Sequence, residues 1–114
     1  TLLTPSLLER ISSKNTNLAR FATNIIKHYF KFYMDVVGFP GCPLHDPLAV
    51  GYVIKPSIFE KKEISARVET EGENARGMLV LEERPGKYAK SNASFCTDVK
   101  SEEFLDYFID TMTA

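Results

Sequence analysis

From Leu18 to about Val37, apolar residues recur at spacings of three and four. Leu18, Ala22, Ile25, Tyr29, Phe32 and Val36 fall on one face of a predicted helix, and Phe21, Ile26, Phe30, Tyr33 and Val37 widen that face. Only Arg20, Asn24, Lys27, Lys31 and Asp35 form a clearly polar stripe. An ordinary surface helix keeps a broader wet side, so this one calls for neighbours on two sides. Ahead of it, Thr4-Pro5 followed by Ser6-Leu7-Leu8-Glu9-Arg10-Ile11 predicts a short capped helix with Pro in its first turn. Ser12 to Asn17 is a polar break in which Thr16 or Asn17 can cap the long helix. Gly38-Phe39-Pro40-Gly41-Cys42-Pro43 stops that helix. Asp46-Pro47 then opens an almost wholly apolar segment that predicts a buried helix ending near Lys55-Pro56.

Beyond Pro56 the period changes from helical to two. Ile64, Ala66, Val68 and Thr70 alternate with Ser65, Arg67, Glu69 and Glu71, as in a half-buried strand. Gly72 and Gly77 bracket a connection to a second strand, Met78 to Glu83, and Pro85-Gly86-Lys87 marks the next turn. Asn92 to Val99 alternates again, which completes a three-stranded, mainly antiparallel meander. Lys100-Ser101-Glu102-Glu103 opens a last helix with Phe104, Leu105, Phe108, Ile109 and Met112 on its apolar side. No repeat or linker divides residues 1–114, so the pattern predicts a single α/β unit.

Composition narrows the functional classes. With 44% hydrophobic and 25% charged residues over 114 positions, the chain can build one core, which excludes a disordered tail or a disulfide-dense miniprotein. Lys and Arg total 14 against 15 Asp and Glu, a net charge of -1. Nucleic acid is therefore not expected as a partner, because phosphate binding needs a basic excess. No stretch approaches the roughly 18 uncharged apolar residues of a membrane span, and the start of the chain lacks the pattern of a secretory signal. Cys42 and Cys96 have no CxxC spacing and read as free thiols, so a soluble cytoplasmic protein is expected.

The candidate chemistry gathers at Leu44-His45-Asp46-Pro47. An Asp before Pro at a helix start reads first as a cap. The same carboxylate, held at a fixed angle, also suits a hard cation such as Ca²⁺, which takes oxygen donors. Histidine as a residue type titrates near neutrality and can donate a proton to a leaving group. Adjacent residues do not face each other on a helix, so His45 and Asp46 would serve different partners. The remaining carboxylates form no DxDxDG-like cluster, which leaves any co-ligands of Asp46 to another part of a protein. In the run His28-Tyr29-Phe30-Lys31-Phe32-Tyr33, Tyr29 and Tyr33 are four apart and share a face, either as core or as rings and hydroxyls beside a planar ligand. There is no GxGxxG, P-loop, GxSxG or HExxH.

Taken in order, Gly41-Cys42-Pro43-Leu44-His45-Asp46-Pro47-Leu48-Ala49-Val50, Pro56-Ser57-Ile58-Phe59, Val68-Glu69-Thr70-Glu71-Gly72 and Arg76-Gly77-Met78 resemble the C-terminal third of the inosine-uridine preferring nucleoside hydrolases. Leu2-Leu3-Thr4-Pro5 and the helix from Phe104 to Ile109 share the resemblance. It implies a C-terminal portion of the Rossmann-like nucleoside hydrolase fold and a Ca²⁺-dependent hydrolase that splits ribonucleosides into base and ribose. In that family an aspartate-rich DxDPGxDD motif near the N-terminus supplies most metal ligands, and this sequence lacks it. Carried over, Asp46 would be a calcium ligand and His45 the acid for a purine leaving group, while Tyr29 and Tyr33 would sit beside the base. The expected partners are a nucleoside and either further copies of the chain or a complementing N-terminal segment, without which the chain would be inactive. The alternative is a non-catalytic interaction or ligand-binding module derived from the same fold.

Overall fold

The computed structural model describes residues 1–82, 84 and 90–114. Among these residues the architecture is mixed α/β, with four α-helices and small two-stranded sheets, and it divides into two compact units. The first unit comprises residues 1–58 and 99–114, and the second residues 59–98.

In the first unit, β1 (Leu2–Leu3) leads into α1 (Pro5–Ser12) and α2 (Asn17–Phe32). Both helix starts are fixed locally. Thr4 Oγ1 accepts from the Leu7 N–H at 3.4 Å with Pro5 behind it, and Thr16 Oγ1 accepts from the Ala19 N–H at 3.1 Å. A π-helical turn, Tyr33–Val37, continues α2 and ends at Gly38, whose φ of 76° is left-handed backbone that glycine takes without strain. The chain then makes β2 (Cys42–Pro43), antiparallel to β1, and α3 (His45–Ile54). After a short 3₁₀ turn at Pro56–Ile58, the unit is completed by α4 (Ser101–Thr113).

The core lies where α1, α2 and α4 meet. Ile11, Ala19, Ala22 and Ile109 are buried there, with Leu7, Ile26, Phe108 and Met112 packed around them. The buried face of α2 is thus Ala19, Ala22, Thr23 and Phe30, which departs from the expected face. Leu18, Phe21, Phe32 and Val36 lie exposed away from that core, and Ile25 is more than half exposed as well. Small side chains let helix axes approach closely, so the alanines are chosen over the larger residues beside them. The expectation of a buried α3 is corrected more sharply. Gly51 is its buried residue, while Val50, Val53 and Ile54 are each more than half exposed. α3 touches α4 along one narrow edge, where a Cβ on Gly51 would sit 2.6 Å from Cε2 of the buried Phe104 ring. Exposed ion pairs, Arg10–Asp106 at 3.3 Å and Lys55–Glu103 at 2.8 Å, add little beside this packing.

The second unit holds β3 (Phe59–Ile64), β4 (Ala66–Val68) and β5 (Leu79–Leu81), with β6 (Ala93–Val99) running out of it. Instead of one three-stranded meander, the strands form two separate pairs, β3 with β6 and β4 with β5. The predicted strand from Ile64 to Thr70 is interrupted at Ser65, whose C=O accepts from the Glu82 N–H at 2.8 Å. Asn92 stitches the interruption. Its backbone N–H donates to Ile64 O, while its side-chain amide accepts from the Ala66 N–H at 2.9 Å and donates to Ala66 O at 2.8 Å. Between β4 and β5, the Glu69 carboxylate accepts from the N–H groups of Glu71 and Gly72, which holds its pKa below the ordinary range. The strand β3 has no alternation to betray it, because Glu60, Lys61, Lys62 and Glu63 are all exposed. Glu83 and the expected turn at Pro85-Gly86-Lys87 lie outside the described residues. Among the described residues, no helix is long and apolar enough to cross a membrane.

Two substitutions probe the packing of the first unit. Gly51→Val should destabilise the chain by about 1–3 kcal/mol in urea unfolding, since the added side chain meets the buried Phe104 ring. Thr23 Oγ1 is buried with no hydrogen-bond partner among the described residues, so Thr23→Val should be neutral or should stabilise by about 1 kcal/mol in the same assay.

Candidate functional site

The start of α3 is held from beneath by the β1–β2 pair, in which Leu3 opposes Cys42 and Leu2 opposes Pro43. A Cβ on Gly41 would lie 2.5 Å from Leu3 O, so β2 can pair this tightly with β1 only because residue 41 is glycine. Leu44 is buried, and its N–H reaches Thr1 O at 3.4 Å. With Leu44 pinned, the helix begins at His45, and His45 and Asp46 emerge exposed in its first turn.

Asp46 is therefore not the N-cap. Leu44 occupies that position with no side chain to accept an amide hydrogen, and the Asp46 carboxylate makes no hydrogen bond or ion pair among the described residues. The carboxylate sits on a ridge between two cavities. One, of about 430 Å³, is walled by Ile25, Ile26, His28 and Tyr29 of α2, the stretch from Cys42 to Pro47, and Phe108 of α4. The other, of about 380 Å³, is almost wholly apolar and lies between α3 and α4, with Val50, Gly51, Ile54, Phe104 and Tyr107 in its walls. Both volumes fall in the range of small-molecule sites.

Of the residues singled out from the sequence, Tyr29, His45 and Asp46 meet on the first cavity. Tyr33, one helical turn along, does not line it. The Tyr29 hydroxyl donates to the Tyr33 hydroxyl at 3.1 Å, and the two rings meet edge to face with centroids 4.8 Å apart. Tyr33 also packs edge-on against Phe32 and tilts toward Phe39. The Tyr29 pKa is pushed up to about 12, chiefly by the hydrogen bond with Tyr33, next by desolvation, and further by the negative charge of Asp46. Burial likewise raises the Cys42 thiol, which keeps it neutral and unreactive in the cavity wall. His28 is the wall residue to which the sequence assigns no role. The available signal is its position three residues after Ile25, on the same helical face.

Calcium takes 6–8 oxygens. Among the described residues, no three His, Cys, Asp or Glu side chains come together. Asp46 fits such a cation as one hard and unpartnered oxygen donor, and does not make a cage by itself.

Comparison with known proteins is consistent in every direction. A family model for the inosine-uridine preferring nucleoside hydrolases matches residues 1–106. The inosine-uridine preferring nucleoside hydrolase of Crithidia fasciculata is 30% identical over 111 residues, a match that covers 97% of this chain and 35% of that protein. The pyrimidine-specific ribonucleoside hydrolase RihA of Salmonella paratyphi B is 29% identical over 106 residues, covering 92% of this chain and 34% of that one. In structure, the purine-preferring ribonucleoside hydrolase from Gardnerella vaginalis matches 99% of the chain with a TM-score of 0.84 at 25% identity, and 36% of its own length is covered. The chain spans about a third of the length of the relatives it matches.

The tyrosine pair generates its own test. Because the hydrogen bond favours neutral Tyr29, its contribution is intact below the ordinary tyrosine pKa near 10 and is lost as pH rises through about 12. Spectrophotometric titration should show one tyrosine ionising about two pH units late, and Tyr33→Phe should return it toward the ordinary value.

Proposed function

The chain belongs to the inosine-uridine preferring nucleoside hydrolase family, and from that premise we propose that it supplies one wall of a site that hydrolyses the N-glycosidic bond of ribonucleosides to free base and ribose. The observation that carries this reading is the unpartnered Asp46 carboxylate, standing with His45 and Tyr29 on a cavity of about 430 Å³. A carboxylate at a helix start that does not cap the helix has its oxygens free for another task.

In this reading Asp46 is one ligand of Ca²⁺, whose other ligands come from a complementing N-terminal segment outside these 114 residues. The chemistry that the bound cation supplies is a positive charge that orients the ribose hydroxyls and acidifies the attacking water. Glycosyl transfer passes through an oxocarbenium-like state, so the departing base must be relieved of its negative charge. In this reading His45 gives that base a proton, and Asp46, through the cation, serves the sugar side. In the same reading Tyr29 offers its ring and the lone pairs of its hydroxyl to the base, and Tyr33, which accepts the hydroxyl hydrogen, steadies it. The relatives' names span purine, pyrimidine and inosine-uridine preference, so the base preference of this chain is its own question.

A second reading, a non-catalytic module of the same fold that associates with its own copies, is favoured by the exposed apolar flank of α2. Activity assays separate the two. The chain alone should not release base from inosine or uridine. Mixed with the complementary two thirds of a nucleoside hydrolase, it should do so in a manner that EDTA stops. In that complex Asp46→Asn should abolish turnover, and His45→Ala should lower kcat on inosine by about 10²–10⁴-fold with a smaller loss on uridine. Failure of the mixture to gain activity, together with a stable homo-oligomer in light scattering, would favour the second reading.

A further inference from the structure

The first cavity contains one polar side chain that the proposed mechanism leaves idle. Asp46 is given to the cation, His45 to the leaving base, and the Tyr29 hydroxyl hydrogen to Tyr33. His28 remains. It is exposed and lines the same cavity, and its imidazole makes no hydrogen bond or ion pair among the described residues. On α2 it stands about 100° around the axis from Tyr29 and one turn from Ile25, so its ring borders the arc of α2 that forms the wall.

We propose that His28, which lines the same cavity as His45, is a specificity-determining contact to the polar edge of the nucleobase. This rests on the reading of the cavity as a nucleoside site. A nucleobase is a planar ring with apolar faces and an edge of carbonyl, amino and ring-nitrogen groups. The cavity has the matching character. Its walls are largely apolar, from Ile25, Leu44 and Phe108, and its few polar groups converge from two directions. A neutral imidazole carries one donor and one acceptor nitrogen, so it can meet either a carbonyl or an amino group on that edge. The contact is already made to the bound base, so it acts on binding and on the choice of base, and where it donates to a carbonyl it also strengthens as negative charge spreads over the departing base.

The test uses the 114-residue chain, with free hypoxanthine and uracil as probes and NMR of the histidine and tyrosine ring protons as readout. The His28 signals are assigned by their loss in His28→Phe, which keeps a planar ring and removes the hydrogen bonds. Millimolar base should shift the His28 and Tyr29 resonances together, and His28→Phe should weaken binding about three- to tenfold as followed at Tyr29, by unequal factors for the two bases. If Tyr29 shifts while His28 stays fixed and the variant binds both bases as the parent does, His28 has no such role and the site reading stands. If no ring resonance moves with either base, the cavity is not a base pocket and both readings fall.

Discussion

The position of the site depends on how closely the start and middle of α3 can approach what lies beneath them. At Gly41 the backbone of β2 runs against Leu3 O, and at Gly51 the helix rests on the face of Phe104. Neither approach leaves space for a Cβ. Between these two contacts the chain has no freedom to rotate about its own axis, so the direction in which residues 45 and 46 project is decided. The glycines contribute no chemistry, yet the chemistry inherits its geometry from them.

That arrangement also explains why Asp46 carries the local signature of a cap without being one. Asp before Pro is a strong signal for a helix start, and local signals see only a few neighbours. The start is set two residues earlier by a non-local event, the pairing of Leu2–Leu3 with Cys42–Pro43, beside which Leu44 is buried. The caps at Thr4 and Thr16, by contrast, involve no distant partner and are legible in full. The same division holds for the helices. Their existence and length follow from periodicity, but α2 is apolar around so much of its circumference that its sequence carries no phase. Its orientation is chosen by Ala19 and Ala22 against α1 and α4.

Among the strands, alternation finds β4 and β6 but cannot reveal β3, whose middle is four charged residues, or the break at Ser65. The latter rests on a side chain 26 positions away, the Asn92 amide that substitutes for a neighbouring strand at Ala66. Of the site, Tyr29, His45 and Asp46 are legible as residue types in suggestive places and are strengthened by the family resemblance. Their convergence is not legible, because it requires α2 and α3 to face one another. Tyr33 shows the limit of helical spacing as a guide: it lies four residues from Tyr29 and bonds its hydroxyl, yet does not line the cavity.

The outer flank of α2 has a consequence for the behaviour of the chain in water. Large side chains from Leu18 to Val36 stand in contact with solvent along a nearly straight row, and Phe21 and Val36 are 64% and 70% exposed. With 14 cationic against 15 anionic residues, almost no long-range repulsion keeps two such rows apart. Colloidal stability is then governed by the solvent more than by pH. Warming and sulfate, which strengthen the drive to exclude apolar surface from water, push the dispersed chain toward condensation, and cold, dilute buffer holds it apart.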